Sequence, residues 1–538
     1  MIVKKIFLFG IFMSLVACEF DNQSISVIVE IENGSIKGVQ EGNLKKYLGI
    51  PYAEPPIDEL RWAPTKPAQN WKGVKSVESN SKICFQPKQL ADFYDRVPDI
   101  NDMSEDCLTL NIWTRAKNKD EKLPVMVWFH GGALVWGSGS EYPGDELTQN
   151  GVILVTVNYR LGPLGFFSHP ELSIETGSSG NQGFNDQIRS LEWVKENISQ
   201  FGGDPNNVTI FGESAGSWSV NVLQASPLSK GLFHKAIGQS GARLIPLTHL
   251  NKRTSYSKSA EKIGLELSAV MSGNNNSTLE DLKKIPALTI IENIEKDPLY
   301  ATQFDTLTVI DGHIIPEDIS QIFLKGDQAD VPVLIGSTAD EATPFDPKML
   351  SPQLAAMSYK SLTHLAIADM LPKVDGTIYD LYPVDTEQVA KKSWVDFSTD
   401  AMFTAQMQKW GNLMSSVESP AYLYMWNWYP SINGSREYRA FHAAEVPYIF
   451  GNFDVFDIDL SERDQKFSKV MMKIWTSFAK NGIPSLDTEE WPKFESKDQK
   501  YVLLDERIEI KKGLRTEKVR LINEAYDKVR NDFQDKSK

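Results

Sequence analysis

Apolar runs bounded by turn residues recur along this chain in two styles. Near the start, alternating segments at 26–31 and through Tyr47-Leu48-Gly49-Ile50-Pro51-Tyr52 predict an antiparallel opening to a sheet, followed by proline-rich turns at 55–56 and 64–67. From Leu123 onward, short continuous apolar runs alternate with helical patterns. Residues 124–129, 152–158 and 208–211 read as buried strands and 185–198 as a helix; further apolar runs follow at 331–336 and 422–429. Strands separated by helix-length segments imply a large, mostly parallel sheet flanked by crossover helices, the α/β class. Two regions, 248–304 and 349–398, are poorly legible apart from a helical stretch at 361–370, and read as insertions bordering a cleft. No internal repeat or low-complexity linker marks a boundary, so a single domain is expected over 27–538.

One apolar run ends in chemistry. Val208-Thr209-Ile210-Phe211 leads into Gly212-Glu213-Ser214-Ala215-Gly216, and 215–225 is compatible with a helix. A serine on a strand-to-helix turn, flanked by glycines, is the context of the G-x-S-x-G nucleophile elbow. Glycines belong there because the sharp turn brings neighbouring backbone too close for side chains. Ser214 is the candidate nucleophile, and the helix N-terminus beneath it favours developing negative charge.

A serine nucleophile needs a base, and on this type of scaffold the order along the chain is Ser, acid, His. Of seven histidines, four follow at a distance: His249, His313, His364 and His442. The apolar run at 331–336 leads into Ser337-Thr338-Ala339-Asp340-Glu341, which places the acid there and leaves His364 or His442 as the base. His364 falls in a helical pattern, whereas Phe441-His442-Ala443-Ala444-Glu445 follows an aromatic strand in a loop, so His442 is the candidate. Between Asp340 and Glu341 the residues alone do not decide. His130-Gly131-Gly132-Ala133, after the strand at 124–129, matches an oxyanion loop of the HGGG type. Its donors would be the N–H groups of Gly132, Ala133 and Ala215. The loop lacks the spacing of a phosphate-binding glycine motif.

Composition narrows the setting. A formal charge of -15 without a dense basic patch disfavours nucleic acid as a partner. Lys4 and Lys5 precede an apolar run at 6–16 that is too short to span a bilayer comfortably, and Leu15-Val16-Ala17-Cys18 resembles a bacterial lipobox. The expectation is a lipoprotein signal peptide over 1–17, lipid on Cys18, a polar tether over 18–26, and export to the bacterial cell envelope. With Cys18 lipidated, Cys84 and Cys107 remain as one pair in an oxidising compartment, where a disulfide persists. Such a bridge contributes roughly 3 kcal/mol in the chain-entropy account. No cysteine is left for metal or nucleophilic work, and neither a metal nor an organic cofactor is expected.

Further blocks carry a resemblance. Ser104-Glu105-Asp106-Cys107-Leu108, Asn158-Tyr159-Arg160, Gly180-Asn181-Gln182-Gly183 with Asp186-Gln187, Phe201-Gly202-Gly203-Asp204-Pro205 and the elbow stand in the order found in the type-B carboxylesterase/lipase family. The chain resembles that family, which includes bacterial para-nitrobenzyl esterases, vertebrate carboxylesterases and cholinesterases, from about Gly34 to Phe494. The resemblance implies an α/β-hydrolase fold, Glu341 as the triad acid, a Cys84–Cys107 bridge and a structural ion pair between Arg61 and Glu105. Two positions depart from it: Trp218 stands where the family usually has a small residue, either narrowing the pocket or filling core, with core filling the favoured reading, and Ala342 follows the acid where glycine is usual.

The activity implied is a serine carboxylic-ester hydrolase with a Ser214–His442–Glu341 triad, an acyl-enzyme intermediate and a small-molecule ester as substrate. Cholinesterases hold a quaternary ammonium over a tryptophan between the two cysteines; no tryptophan lies between Cys84 and Cys107 here, the matching position being Val97, so neutral esters are expected. The alternatives are a lipase acting on long-chain acylglycerols and a non-catalytic binding protein on the same fold. The latter is disfavoured because Ser214, Glu341, His442 and the glycine loop are all present.

Overall fold

A computed structural model describes residues 24–88, 99–254, 256–296, 307–349, 352–431, 438–453, 461–486 and 489–536. The expected signal peptide, Cys18 and Val97 lie outside the described residues.

Thirteen strands form one sheet. In chain order they are β1 (Ile25–Ile31), β2 (Gly34–Glu41), β3 (Leu44–Pro51), β4 (Val74–Ser76), β5 (Thr109–Thr114), β6 (Leu123–Phe129), β7 (Ile153–Val157), β8 (Gly203–Glu213), β9 (Lys235–Gln239), β10 (Val333–Thr338), β11 (Ala421–Trp426), β12 (Lys500–Leu504) and β13 (Glu509–Lys512). Their spatial order is β1-β2-β3-β5-β7-β6-β8-β9-β10-β11-β12-β13, with β4 beside β2. The strands from β7 to β12 in that order pair parallel, while both ends of the sheet are antiparallel apart from the short β4, which lies parallel to β2. The expected antiparallel opening and parallel centre are both observed. One boundary differs: Ile25 already pairs with Gln40, so the first strand begins inside the segment expected as tether up to residue 26.

Period-two alternation explains the layers. Val125, Val127 and Phe129 of β6 face one core with Val208 and Ile210 of β8; helices α1 (Gln182–Asn197) and α2 (Ala215–Ala225) cover it through Phe184, Ile188, Val220 and Leu223. Met126 and Trp128 face the opposite core with Phe211, covered by Met471, Trp475 and Phe478 of α3 (Glu462–Asn481). Because these strands are buried on both faces, they read as continuous apolar runs.

Of the two poorly legible regions, the first contains helices Ala260–Ser272, Leu279–Lys283 and Ala287–Glu295, and the second Tyr359–Met370 and Glu387–Thr399. His364 lies on the helix Tyr359–Met370, edge-on to Tyr379 at 5.2 Å, away from the other candidates. Cys84 and Cys107 are disulfide-bonded, as expected. Arg61 forms a two-pronged contact with Glu105, 2.6 Å on each arm.

Candidate active site

The turn between β8 and α2 is as sharp as the sequence demands. Ser214 has φ 55° and ψ -122°, in the left-handed half of backbone space where a non-glycine residue is strained. Its N–H donates to the carbonyl oxygen of Gln239 at 2.8 Å, and its own carbonyl accepts from Trp218 N–H at 3.0 Å. The flanking glycines are required by contact. A Cβ on Gly216 would overlap the carbonyl oxygen of Phe129, and one on Gly212 would press into the backbone of Gly216.

The glycine loop after β6 also departs from ordinary backbone. Gly132, Ala133 and Leu134 have φ of 99°, 55° and 63°, and the two non-glycine residues store strain there. Surrounding groups hold the loop in place. Tyr159 Oη donates to the carbonyl of His130 at 2.7 Å and stacks on its ring at 4.4 Å. Gly162 N–H donates to Leu134 O at 2.7 Å, and Gln86 Oε1 accepts from Gly137 N–H at 2.8 Å. Burial pushes the His130 imidazole down to about 4, so it is neutral at pH 7 and serves as a structural donor to Gly131 O. Among the described residues, the N–H groups of Gly132, Ala133 and Ala215 have no protein acceptor.

The carboxylate and the histidine come from the ends of neighbouring strands. The loop after β10 carries Glu341, fully buried, and the loop at 438–445 carries His442. The two loops are tied together: Asp340 N–H donates to Ala440 O at 2.9 Å, His442 N–H to Glu341 O at 3.3 Å, and Thr343 Oγ1 to Tyr438 O at 2.7 Å. His442 Nδ1 lies 2.6 Å from Glu341 Oε2, while Thr338 N–H donates to Oε1 at 2.7 Å. A carboxylate only accepts, so Nδ1 carries the proton and Nε2 keeps its lone pair when the ring is neutral. Phe403 and Phe345 flank the ring at 4.7 and 5.3 Å. Asp340 points elsewhere, to Arg439 at 3.4 Å.

His442 Nε2 faces Glu213, the residue before Ser214, at 3.1 Å from Oε1. The contact lacks hydrogen-bond alignment and acts through charge. Among the described residues, no hydrogen bond joins His442 to Ser214. A third buried carboxylate, Glu445, accepts from Gln239 Nε2 at 3.2 Å. Burial by itself lowers the affinity of the His442 ring for its proton, but the carboxylates of Glu213 and Glu341 outweigh this and raise its pKa above the usual 6.5. Burial likewise raises both Glu213 and Glu445, assisted by neighbouring carboxylates.

The structure thus brings the expected Glu341 and His442 together beside the elbow that carries Ser214, and adds Glu213 and Glu445, which the sequence did not single out. The available signal was a charge inside an apolar strand end and a second acid three residues beyond the histidine. Trp218, read as core, packs against the core but retains solvent contact.

A strained serine elbow, a glycine loop and a histidine–carboxylate pair at the ends of parallel strands define the α/β-hydrolase fold. The Carboxylesterase family model matches residues 25–522, and the chain belongs to that family and is a carboxylic-ester hydrolase. It is similar to the para-nitrobenzyl esterase of Bacillus subtilis (strain 168), with 34% identity covering 91% of this chain and 97% of the relative. The fumonisin B1 esterase of Sphingopyxis macrogoltabida is 31% identical over 92% of this chain and 89% of the relative. A solved structure described as PNB esterase superposes with a TM-score of 0.79 at 32% identity, covering 92% of this chain and 99% of the other.

Proposed function

We propose that the protein hydrolyses neutral small-molecule esters through a covalent acyl-enzyme on Ser214. The observation that carries this reading is the 2.6 Å contact between His442 Nδ1 and Glu341 Oε2, which leaves Nε2 directed toward the elbow as a base. Ser214 Oγ attacks the ester carbonyl carbon while its proton passes to His442 Nε2. The carbonyl electrons move to the oxygen, which the N–H groups of Gly132, Ala133 and Ala215 receive as the tetrahedral oxyanion. Collapse breaks the bond to the alkoxy oxygen, which takes the proton from His442 and leaves as the alcohol. Water then attacks the acyl carbon, giving up a proton to His442; collapse releases the carboxylic acid as Ser214 Oγ regains a proton. Glu341 fixes the ring and, with Glu213, favours its charged form during both steps. Neither a metal nor an organic cofactor enters this scheme.

The setting belongs to the same proposal: a single catalytic domain, exported and held at the bacterial cell envelope by lipid on Cys18. The lipobox-like Leu15-Val16-Ala17-Cys18 and the short apolar run before it support this. Intact mass of the mature protein tests it, since an unmodified N-terminus other than Cys18 would discard the anchor. Hydrolysis of p-nitrophenyl acetate by the purified protein, with Ser214→Ala as control, tests the activity.

A further inference from the structure

We infer that Trp218 sets the acyl specificity of this enzyme, forming a fixed wall beside the nucleophile that favours short acyl groups over long ones. The inference rests on Ser214 being the nucleophile, as proposed above.

Burial picks the residue out. Every residue of α2 except Trp218 is buried, and from Phe211 to Ala225 only Ser214 and Trp218 are partly exposed rather than buried. Trp218 follows the serine by one turn, its N–H donating to Ser214 O at 3.0 Å, and its indole borders Gly241, the residue that also lies against Ser214 O. The wall is held rigidly. The guanidinium of Arg243 lies 4.9 Å over the indole, and Arg243 N–H donates to Asn221 Oδ1, one turn further along the helix, at 3.0 Å. The indole edge abuts Gly241, where a Cβ would come within 2.6 Å of Trp218 Nε1 and 3.1 Å of Ser214 O.

Stereochemistry then assigns what meets the wall. The tetrahedral carbon on Ser214 Oγ carries three other groups. Its oxyanion points to the glycine loop and Ala215, and its alkoxy oxygen must reach His442 Nε2 to be protonated. The remaining substituent is the acyl chain. Phe345, Phe403, Glu213 and Glu341 surround His442, whereas Trp218 belongs to the Gly241 and Arg243 side. A bulky indole there shortens the space open to the acyl group.

The test is a series of p-nitrophenyl esters from acetate to decanoate, with kcat/KM measured for the wild type, Trp218→Phe, Trp218→Leu and Trp218→Ala. The wild type should favour acetate or butyrate over decanoate. The decanoate-to-acetate ratio should rise by about tenfold or more in Trp218→Ala, a size typical of relieving steric exclusion in an apolar pocket, with Leu intermediate and Phe nearest the wild type. Should Trp218→Ala fail to fold, the Leu variant reads the same ratio. A ratio unchanged across the variants, or a wild type that prefers decanoate, overturns the inference. Turnover surviving in Ser214→Ala would instead overturn the reading beneath it.

Discussion

Glu341 grips His442 through one carboxylate oxygen at 2.6 Å and anchors the other on Thr338 N–H at 2.7 Å, whereas adjacent Asp340 turns to Arg439. The two acids therefore have separable consequences. Glu341→Gln replaces an obligate acceptor by an amide able to present N–H to the ring, and kcat should fall by about 10²–10⁴-fold, the range for losing acid–base function. Asp340 Oδ2 accepts from Ala440 N–H at 3.4 Å, so Asp340→Asn keeps an oxygen for that bond and should cost less than about tenfold, in line with a peripheral ion pair. Steady-state kinetics with p-nitrophenyl butyrate decides; a larger loss in Asp340→Asn would reverse the acid assignment.

The pH profile carries a sign set by the surrounding charges. His442 must be neutral to accept the Ser214 proton, and the buried carboxylates of Glu213 and Glu341 raise its pKa above 6.5. Activity should therefore rise with pH along a limb displaced upward from the ordinary imidazole value, and decline as pH falls below it. Glu213→Gln removes one negative neighbour and should shift the limb to lower pH. A limb at or below 6.5 in the wild type, or one unmoved in Glu213→Gln, contradicts this electrostatic account.

Much of the site was legible because its requirements are local. Gly212, Ser214 and Gly216 mark the elbow through backbone crowding alone, and the predicted helix at 215–225 matches the observed one. His442 and Glu341 were reachable through chain order and position after strands, with the choice over Asp340 supplied by family resemblance. Glu213 and Glu445 were not legible, because their role depends on the 438–445 loop folding back onto the elbow, a contact spanning more than two hundred residues. The stretch 361–370 was legible as the helix Tyr359–Met370, but Glu387–Thr399 and the helices within 248–304 escaped for a related reason: they pack in small separate clusters, around residues such as Ile290 and Trp394, and their apolar stripes are short.

Gly216 offers a stability test. A methyl group there would overlap Phe129 O, and overpacking of this kind costs about 1–3 kcal/mol or displaces the backbone. Gly216→Ala should lower Tm and, by moving the elbow against the glycine loop, reduce turnover in the folded fraction. Calorimetry and kinetics matching the wild type would remove the contact argument for the elbow.

Charge on the alcohol should not help binding. With no tryptophan between Cys84 and Cys107, that stretch of sequence offers no indole to a choline ester. Net acidity affects encounter rates more than bound-state affinity. We expect kcat/KM for butyrylcholine at physiological salt to be no higher than for its uncharged isostere 3,3-dimethylbutyl butyrate. A preference for the cation of about tenfold, or roughly 1.4 kcal/mol, would show that another group provides a cation site.

Ser214 should form the covalent intermediate. Incubation with a fluorophosphonate, followed by proteolysis and peptide mass spectrometry, reads it directly. A single adduct should map to Ser214, with loss of p-nitrophenyl acetate turnover in proportion to labelling, and Ser214→Ala should show neither adduct nor turnover. An adduct on another residue, or wild-type turnover in Ser214→Ala, would contradict the account.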